Sequence, residues 1–386
     1  MIFAQYYFIE TINKLNQEIL YSLAAVFLFA WIFQIVHYLY VMAAFNRQKP
    51  RTPNPSPPPV SVVICAKNEA ENLRNFLPQI LNQDYHDFQV VVVNDCSTDD
   101  TEMVLAELKQ THKNLYYTSI PVDKKFFHGK KLALTLGIKA AIHKYIVLTD
   151  ADCYPATDKW LLNMAGSFTS DKKIVLGYGA YKKRKGLLNL LIRFETFWNT
   201  IQYFGFASTM KPFMGVGRNI AYEKQLFNDS SQFKSNLTVA SGDDDLFLVE
   251  VAKPGNTTIC FAPESHTLSV PSASFKEWKS QKSRHLTSSV FYPLYIKVWL
   301  FFEYLTRQIL WLFTFCSIIF SIFAPIIGVL FALHILIKTV VLSISGKKLG
   351  EKQLFWAILL FDWVIPIWIG VLWISNLLRP KKNKWK

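Results

Sequence analysis

The pattern of apolar and polar positions divides the chain into three stretches. Ile19 to Phe45 is almost continuously apolar, with Gln34 and His37 as its strongly polar members. That length suffices to cross a bilayer as a helix. A cleaved signal would need a basic start and a small-residue cleavage site; only Lys14 precedes the block, so an uncleaved anchor is expected. From Val60 the rhythm changes. Val60–Cys65, Gln89–Asn94, Leu115–Ile120 and Tyr145–Thr149 read as strands, and Asn68–Gln83, Thr98–Gln110 and Lys130–His143 as helices between them. Strands near-continuous in Val and Ile that alternate with helices predict a mostly parallel α/β sheet covered on both faces. On such sheets ligands bind beyond the carboxyl ends of the strands. After Arg284 the chain turns apolar again. Val290–Tyr304 carries Lys297 and Glu303 and is expected to lie in the membrane interface. Ile309–Leu342 has Pro325 and Gly328 as a break between two tightly connected spans, and Leu354–Leu377 is another span.

The organisation expected is therefore a transmembrane anchor (1–45), a linker (46–59), a soluble α/β domain (60–289), an interfacial helix with C-terminal transmembrane helices (290–378) and a basic tail (379–386). The linker holds six prolines from Pro50 to Pro59 and is expected to be an extended spacer.

Composition narrows the class. With 51% hydrophobic and 18% charged residues, the 386-residue chain is neither disordered, collagen-like nor a small disulfide scaffold. The net charge of +14 raises nucleic acid as a partner, but no RNP pattern or Cys/His finger is present. The basic residues instead flank the apolar blocks: Arg47, Lys49 and Arg51 after the first, and Arg379, Lys381, Lys382, Lys384 and Lys386 at the end. That placement suits an anionic membrane surface and puts the middle domain in the cytosol. Three C-terminal spans would leave the tail outside, against the same rule; two or four would return it. Five cysteines without a CxxC pair read as reduced, buried thiols, which also fits the cytosol.

The candidate chemistry gathers at strand ends. Asp150-Ala151-Asp152 follows the strand ending in Thr149, and residues i and i+2 of an extended chain share a side. Two converging carboxylates make a hard-oxygen site for Mg²⁺ or Mn²⁺ on a diphosphate, although DxD is also a common turn. Asn94 to Asp99 follows the second strand; Asp95 is placed to accept from a nucleotide base or ribose, with Ser97 or Thr98 capping the next helix. Gly129-Lys130 brings a cation to phosphate but lacks P-loop spacing. The first strand leads into Lys67-Asn68-Glu69, not GxGxxG, which excludes a dinucleotide fingerprint. Ser241-Gly242-Asp243-Asp244-Asp245 packs three acids that repel one another, so that one is expected to have a raised pKa suited to a general base; an acidic helix start is the alternative. Gln281 and Arg284 with His285 close the soluble region, Arg284 being suited to bidentate phosphate contact. Gly215 to Asn219 is a turn or a ligand-facing loop. Lys182 to Lys185 with the aromatic-rich Phe194–Phe206 suits the bilayer surface or a solvated loop. His266 is a lone histidine that either completes a metal shell or is structural.

In this order the motifs resemble the family 2 glycosyltransferases, in the membrane-bound branch of cellulose, hyaluronan and poly-N-acetylglucosamine synthases and ceramide glucosyltransferase. The resemblance spans roughly Val60 to His285 and rests on the Asn68-Glu69 turn, Asn94 to Asp99, the DxD of Asp150 and Asp152, the TED-like Ser241-Gly242-Asp243 and the QxxRW-like Gln281, Arg284 and His285. It implies a GT-A fold, a nucleoside-diphosphate sugar donor of UDP type, Mg²⁺ or Mn²⁺, inversion at the anomeric carbon and an inner-membrane location. It further implies a lipid or glycan acceptor, Asp243 or its neighbour Asp244 as base, and substrate contacts from Asn68, Glu69, Asp95, Lys130, Asp150, Gln281, Arg284 and His285. The departures are Asn94 for the first Asp, Gly242 for Glu and His285 for Trp; the last speaks against long-polymer synthesis. A membrane nucleotidyl- or phosphotransferase and a catalytically degenerate scaffold remain as alternatives.

Overall fold

The computed structural model describes residues 2–121, 129–233, 241–320 and 323–378, with side chains from residue 17 onward except at 355 and 377. The basic tail lies outside the described residues. The central sheet has seven strands in the order β3-β2-β1-β4-β8-β6-β9. Their ranges are β1 Val60–Ala66, β2 Phe88–Asp95, β3 Leu115–Ile120, β4 Tyr145–Leu148, β6 Ile174–Gly177, β8 Ile220–Glu223 and β9 Thr257–Cys260. β8 is antiparallel to both neighbours, and the other pairings are parallel. A second sheet, β5-β10-β7, joins Cys153–Pro155, Thr267–Ser269 and Gly179–Tyr181.

All seven residues of β1 are buried, because both faces of the sheet are covered. Val62 and Ile64 face one core with Leu73, Leu77, Val90 and Val92. Val63 and Cys65 face the other, with Val91, Val93, Leu134 and Ile138. The helix Ala70–Leu81 buries Leu73, Leu77, Ile80 and Leu81, a one-faced helical spacing. It begins later than the periodicity predicts because Asn68 takes a left-handed φ of 55°. Its side-chain Oδ1 accepts the Thr98 N–H at 2.8 Å, while its own N–H donates to Ser97 Oγ at 2.9 Å. Capping by Ser97 or Thr98 is accordingly not what forms; Asp99 accepts from the Thr101 and Ala70 N–H groups instead.

The linker docks on the domain. Asn54 N–H donates to the Gly166 carbonyl at 3.1 Å, and Pro57 is buried. The helix Leu187–Thr209 does not rest on a bilayer by its aromatic face, as one reading of the sequence has it. Phe194, Phe197, Trp198, Phe204 and Phe206 are buried, with Trp198 against Tyr38 and Phe204 against Phe45. This helix is the floor on which the first membrane helix meets the soluble domain.

Three helices, Gln17–Arg47, Ala324–Lys348 and Ile358–Asn376, are long and apolar enough to cross a membrane. They flank the sheet domain in the chain. Of Val290–Tyr304, expected as a separate interfacial segment, residues 294–304 are the first turns of one continuous helix, Leu294–Phe320. Glu303 is buried there because Arg307, one turn on, pairs with it at 2.6 Å. The break before the next helix falls at Phe323, at a φ of 51°, with Pro325 in the first turn that follows. Gln34 and His37, the polar interruptions of the first apolar block, both face the Leu294–Phe320 helix. Gln34 Nε2 donates to the Glu303 carbonyl, and Trp299 Nε1 to His37 Nδ1.

Candidate active site

The strand ends and the two late motifs meet in one pocket of about 250 Å3. β1 contributes Lys67 and Glu69 from the turn after it, and β4 contributes Asp150 and Asp152. The start of the helix Asp245–Val251 brings Asp243 and Asp244, and the helix Phe275–His285 brings Gln281, Arg284 and His285. Asn68 and Asp95 are not among the lining residues. Asn68 stitches the β1 and β2 loops together as described above. Asp95 is fully buried at the end of β2, with the Cys96 thiol at 3.5 Å. Asn94 turns away toward Glu102 and Ser119.

Lys130 stands at the centre. Its Nζ lies 2.8 Å from Asp150 Oδ1 and 2.8 Å from Asp243 Oδ2, so one ammonium joins the DxD to the acid cluster. Burial alone would lower its pKa; Asp150, Asp243 and Asp244 outweigh burial and hold it well above the ordinary value. Lys130 reaches this point because it opens the helix Lys130–Ala140 directly after Gly129.

The three adjacent acids have different partners. Asp243 is buried, which would raise its pKa, but Lys130 overrides this and holds it below the usual carboxylate range. Asp244 is pushed up to about 7, by burial first and then by Asp243 and Asp245. Both of its oxygens are engaged: Oδ2 accepts the Gly217 N–H at 2.6 Å and Oδ1 the Asp245 N–H at 2.9 Å. Asp245 turns away from the pocket's centre. Its Oδ2 accepts from the Ser288 hydroxyl at 2.7 Å and the Tyr292 hydroxyl at 2.5 Å. Burial raises Asp245, and these two hydroxyls oppose the rise. Gly242, a departure from the family pattern, has a local reason. Its φ is +86°, and a Cβ there would lie 2.6 Å from the Leu246 side chain.

Ligand atoms of Asp150, Asp152 and Cys153 lie within 4.8 Å of one another. The Cys153 thiol is held protonated by burial, well above its ordinary pKa, and contacts Ser269 Oγ at 2.9 Å. The usable donors are therefore two part-exposed carboxylates, a hard-oxygen pair that fits Mg²⁺ or Mn²⁺ sharing its remaining positions with phosphate and water. His266 is excluded from this set. It is buried, its Nε2 lies 3.1 Å from the Phe261 carbonyl and its ring sits edge-on to Tyr178.

Several lining residues carry no mark in the linear motifs. Thr196, Asn199, Thr200 and Tyr203 come from the Leu187–Thr209 helix, and Tyr181 from β7. The Gly215–Asn219 segment fulfils both readings of it. Gly215 to Arg218 line the pocket, whereas Asn219 is buried and bonds Tyr178, Ser265 and Trp160. The helix bearing Gln281, Arg284 and His285 is braced against the last membrane helix: Asn376 Nδ2 donates to the Ser283 carbonyl at 2.7 Å, and Phe275 packs on Trp368.

A mostly parallel sheet with a DxD at a central strand end, an acid cluster opposite and flanking apolar helices defines the GT-A class of membrane-associated glycosyltransferases. Residues 61–229 match the family model "Glycosyl transferase family 2", so the chain carries a domain of that family. The poly-beta-1,6-N-acetyl-D-glucosamine synthase of Staphylococcus epidermidis is 28% identical over 124 residues, 32% of this chain and 29% of that protein. An uncharacterized glycosyltransferase of Haemophilus influenzae is 32% identical over 95 residues, 25% of this chain and 28% of that protein. The matches thus span under a third of either relative's length. In fold, the mannosyltransferase PcManGT from Pyrobaculum calidifontis, solved with GDP-Man and Mn2+, aligns over 95% of this chain and 98% of its own. The TM-score is 0.57 at 19% identity. This likeness is one of fold, and it runs beyond the family-model span to the flanking helices.

Proposed function

We propose that the protein is a membrane-anchored, inverting glycosyltransferase. It moves a sugar from a nucleoside-diphosphate donor, of UDP type, to a hydroxyl of a lipid or glycan acceptor at the inner membrane. The observation that carries this reading is the unbroken chain Asp150–Lys130–Asp243, with 2.8 Å at each link, inside a pocket that a DxD and an Arg284-bearing helix both enter. It supports a reading in which groups for a diphosphate and a group for an acceptor proton stand within one side chain's reach.

Asp150 and Asp152 would hold the divalent ion, which when bound supplies charge neutralisation to the departing diphosphate. Lys130, drawn toward phosphate, relaxes its hold on Asp243 and lets that carboxylate's basicity rise. Asp243 takes the proton of the acceptor hydroxyl as its oxygen bonds the anomeric carbon and the bond from that carbon to the diphosphate breaks. Asp244, with both oxygens on backbone N–H groups, holds the Gly215–Asn219 loop to the start of the Asp245 helix. Asp245 ties the same turn to Ser288 and Tyr292 at the entrance to the membrane helices. Gln281, Arg284 and His285 contact phosphates or acceptor, Glu69 lines the donor side, and Asp95 supports the nucleotide loop from beneath. The bracing of the Phe275–His285 helix on the last membrane helix supports an acceptor that arrives at the membrane face. Arg47, Lys49 and Arg51 after the first span support a cytosolic catalytic domain.

The test is a screen of the purified full chain, in membrane lipids, against sugar nucleotides of both UDP and GDP type. Metal-dependent release of the nucleoside diphosphate is expected. Release of pyrophosphate, or no turnover with any donor, would overturn the reading. Its topology is tested separately: an engineered Cys in the soluble domain should resist impermeant labelling from outside intact cells, and strong labelling would reverse the placement.

A further inference from the structure

Two cations of the pocket are paired with acids, and one stands against an aromatic ring instead. Lys130 has Asp150 and Asp243, and Lys282 has Glu195 at 2.7 Å. Arg218 lines the same pocket, yet among the described residues it has no carboxylate within ion-pair distance. The side chains that act most on its guanidinium are Tyr181, Cys153 and Tyr203, none of them a carboxylate. Its Nε is fully shielded and makes no hydrogen bond. Arginine does not escape such a site by losing its proton, so the charge stays on the half-buried pocket wall with no anion beside it.

The site around it is built to hold the side chain in place. The Arg218 carbonyl accepts from the Thr149 hydroxyl at 3.1 Å and the Thr267 hydroxyl at 2.9 Å, which pins its backbone between β4 and β10. The guanidinium lies over the Tyr181 ring at 4.4 Å. Gly179 makes the room: a Cβ there would sit 2.4 Å from Arg218 Nε. Tyr181 in turn takes a long hydrogen bond, 3.4 Å, from Gln281. A planar fork stacked on a ring presents its edge for two-pronged contact with an oxyanion, which a lysine does not reproduce.

We infer that Arg218 is a substrate-binding residue whose missing counter-charge is a phosphate group of the substrate. This rests on the glycosyl-transfer reading, and two sources of that phosphate exist: the donor's diphosphate and a phosphate carried by a lipid acceptor. The full chain in neutral detergent is titrated with UDP and GDP in the presence of Mn²⁺, with uridine and guanosine as controls. It is also titrated with dioctanoyl phosphatidic acid against dioctanoyl phosphatidylcholine. Arg218→Gln removes a charge-assisted contact and is expected to weaken phosphate binding by about 10–100-fold. Loss for the nucleoside diphosphates with the nucleosides unaffected assigns Arg218 to the donor. Unchanged diphosphate binding with loss of the phosphatidic acid response assigns it to the acceptor. Unchanged binding in every titration overturns the inference. If Arg218→Gln does not fold, Arg218→Lys keeps the charge and stem but loses the fork; it should bind phosphate more weakly than the native chain, and native affinity in all titrations overturns the inference. Failure of the native chain to bind either nucleotide would strike the donor reading, while the phosphatidic acid arm would still test Arg218.

Discussion

The pocket and the membrane bundle both bury charge, and they resolve it in opposite ways. Between the helices, Glu303, Arg307, Lys338 and Asp362 are each at most 1% exposed. Arg307 pairs with Glu303 at 2.6 Å and with Asp362 at 3.5 Å; Lys338 pairs with Asp362, which also accepts from Trp311 at 2.9 Å. Two acids face two cations, and both cations stack on Trp198 of the floor helix. The cluster closes on itself and joins the Leu294–Phe320 helix and two of the membrane-length helices to the soluble domain. In the pocket, by contrast, one ammonium serves Asp150, Asp243 and Asp244, and Arg218 has no carboxylate. Balanced buried charge acts as a fastener; unbalanced charge on a pocket wall is a place for a ligand that restores the balance.

Four measurements break or sharpen this contrast. The largest effect belongs to Asp243. Asp243→Asn should lower kcat by about 10²–10⁴-fold, the usual worth of a general base, with little change in donor affinity. Asp244→Asn should cost less, because its oxygens serve backbone N–H groups. The reverse order in single-turnover assays would transfer the role to Asp244.

Next, Asp150→Asn should reduce turnover by about 10²–10³-fold, equivalent to the few kcal/mol expected of metal-borne charge stabilisation. Its thermal midpoint should hardly move, since Asp150 is part-exposed and supports no core. Full turnover in EDTA would remove the metal from the mechanism.

The bundle should respond in the opposite sense. Asp362→Ala leaves Lys338 and Arg307 short of an anion and should cost about 3–5 kcal/mol of stability. The pair Lys338→Met with Asp362→Leu should be far milder than the single change. Equal thermal midpoints for Asp362→Ala and the native chain would mean that this cluster is not a fastener.

The smallest effect is a pH dependence. Asp244 is raised from 3.8 to about 7. A raised carboxylate contributes stability that is complete below its unfolded pKa, near 4, and is lost as pH climbs through about 7. Relative to the native chain, Asp244→Asn should therefore gain thermal stability between pH 4 and pH 8. A constant difference across that range would show that Asp244 does not titrate there.

The strands were legible from Val60 onward because fully buried parallel strands leave a local signature in runs of Val and Ile. The Leu115–Ile120 strand has the bounds its composition predicts. The DxD was legible because its two acids are two residues apart on one strand end. Arg218 was not: it sits in a loop that reads equally as a turn, and its partners come from residues 149, 179, 181 and 267. Nor was the fate of the Phe194–Phe206 aromatics, since an aromatic stripe looks the same whether it meets lipid or another helix.

By itself, then, the sequence determined the order of elements, the three apolar regions and the residue types at each strand end, all of which depend on neighbours a few positions away. The tertiary structure alone decided which of three consecutive acids faces Lys130, which caps a helix and which bonds Tyr292. It also decided that Arg307 and Lys338 close on Asp362 while Arg218 closes on a tyrosine ring and no acid. Charge is long-ranged and burial is collective, so the state of an ionisable side chain depends on which distant segments surround it.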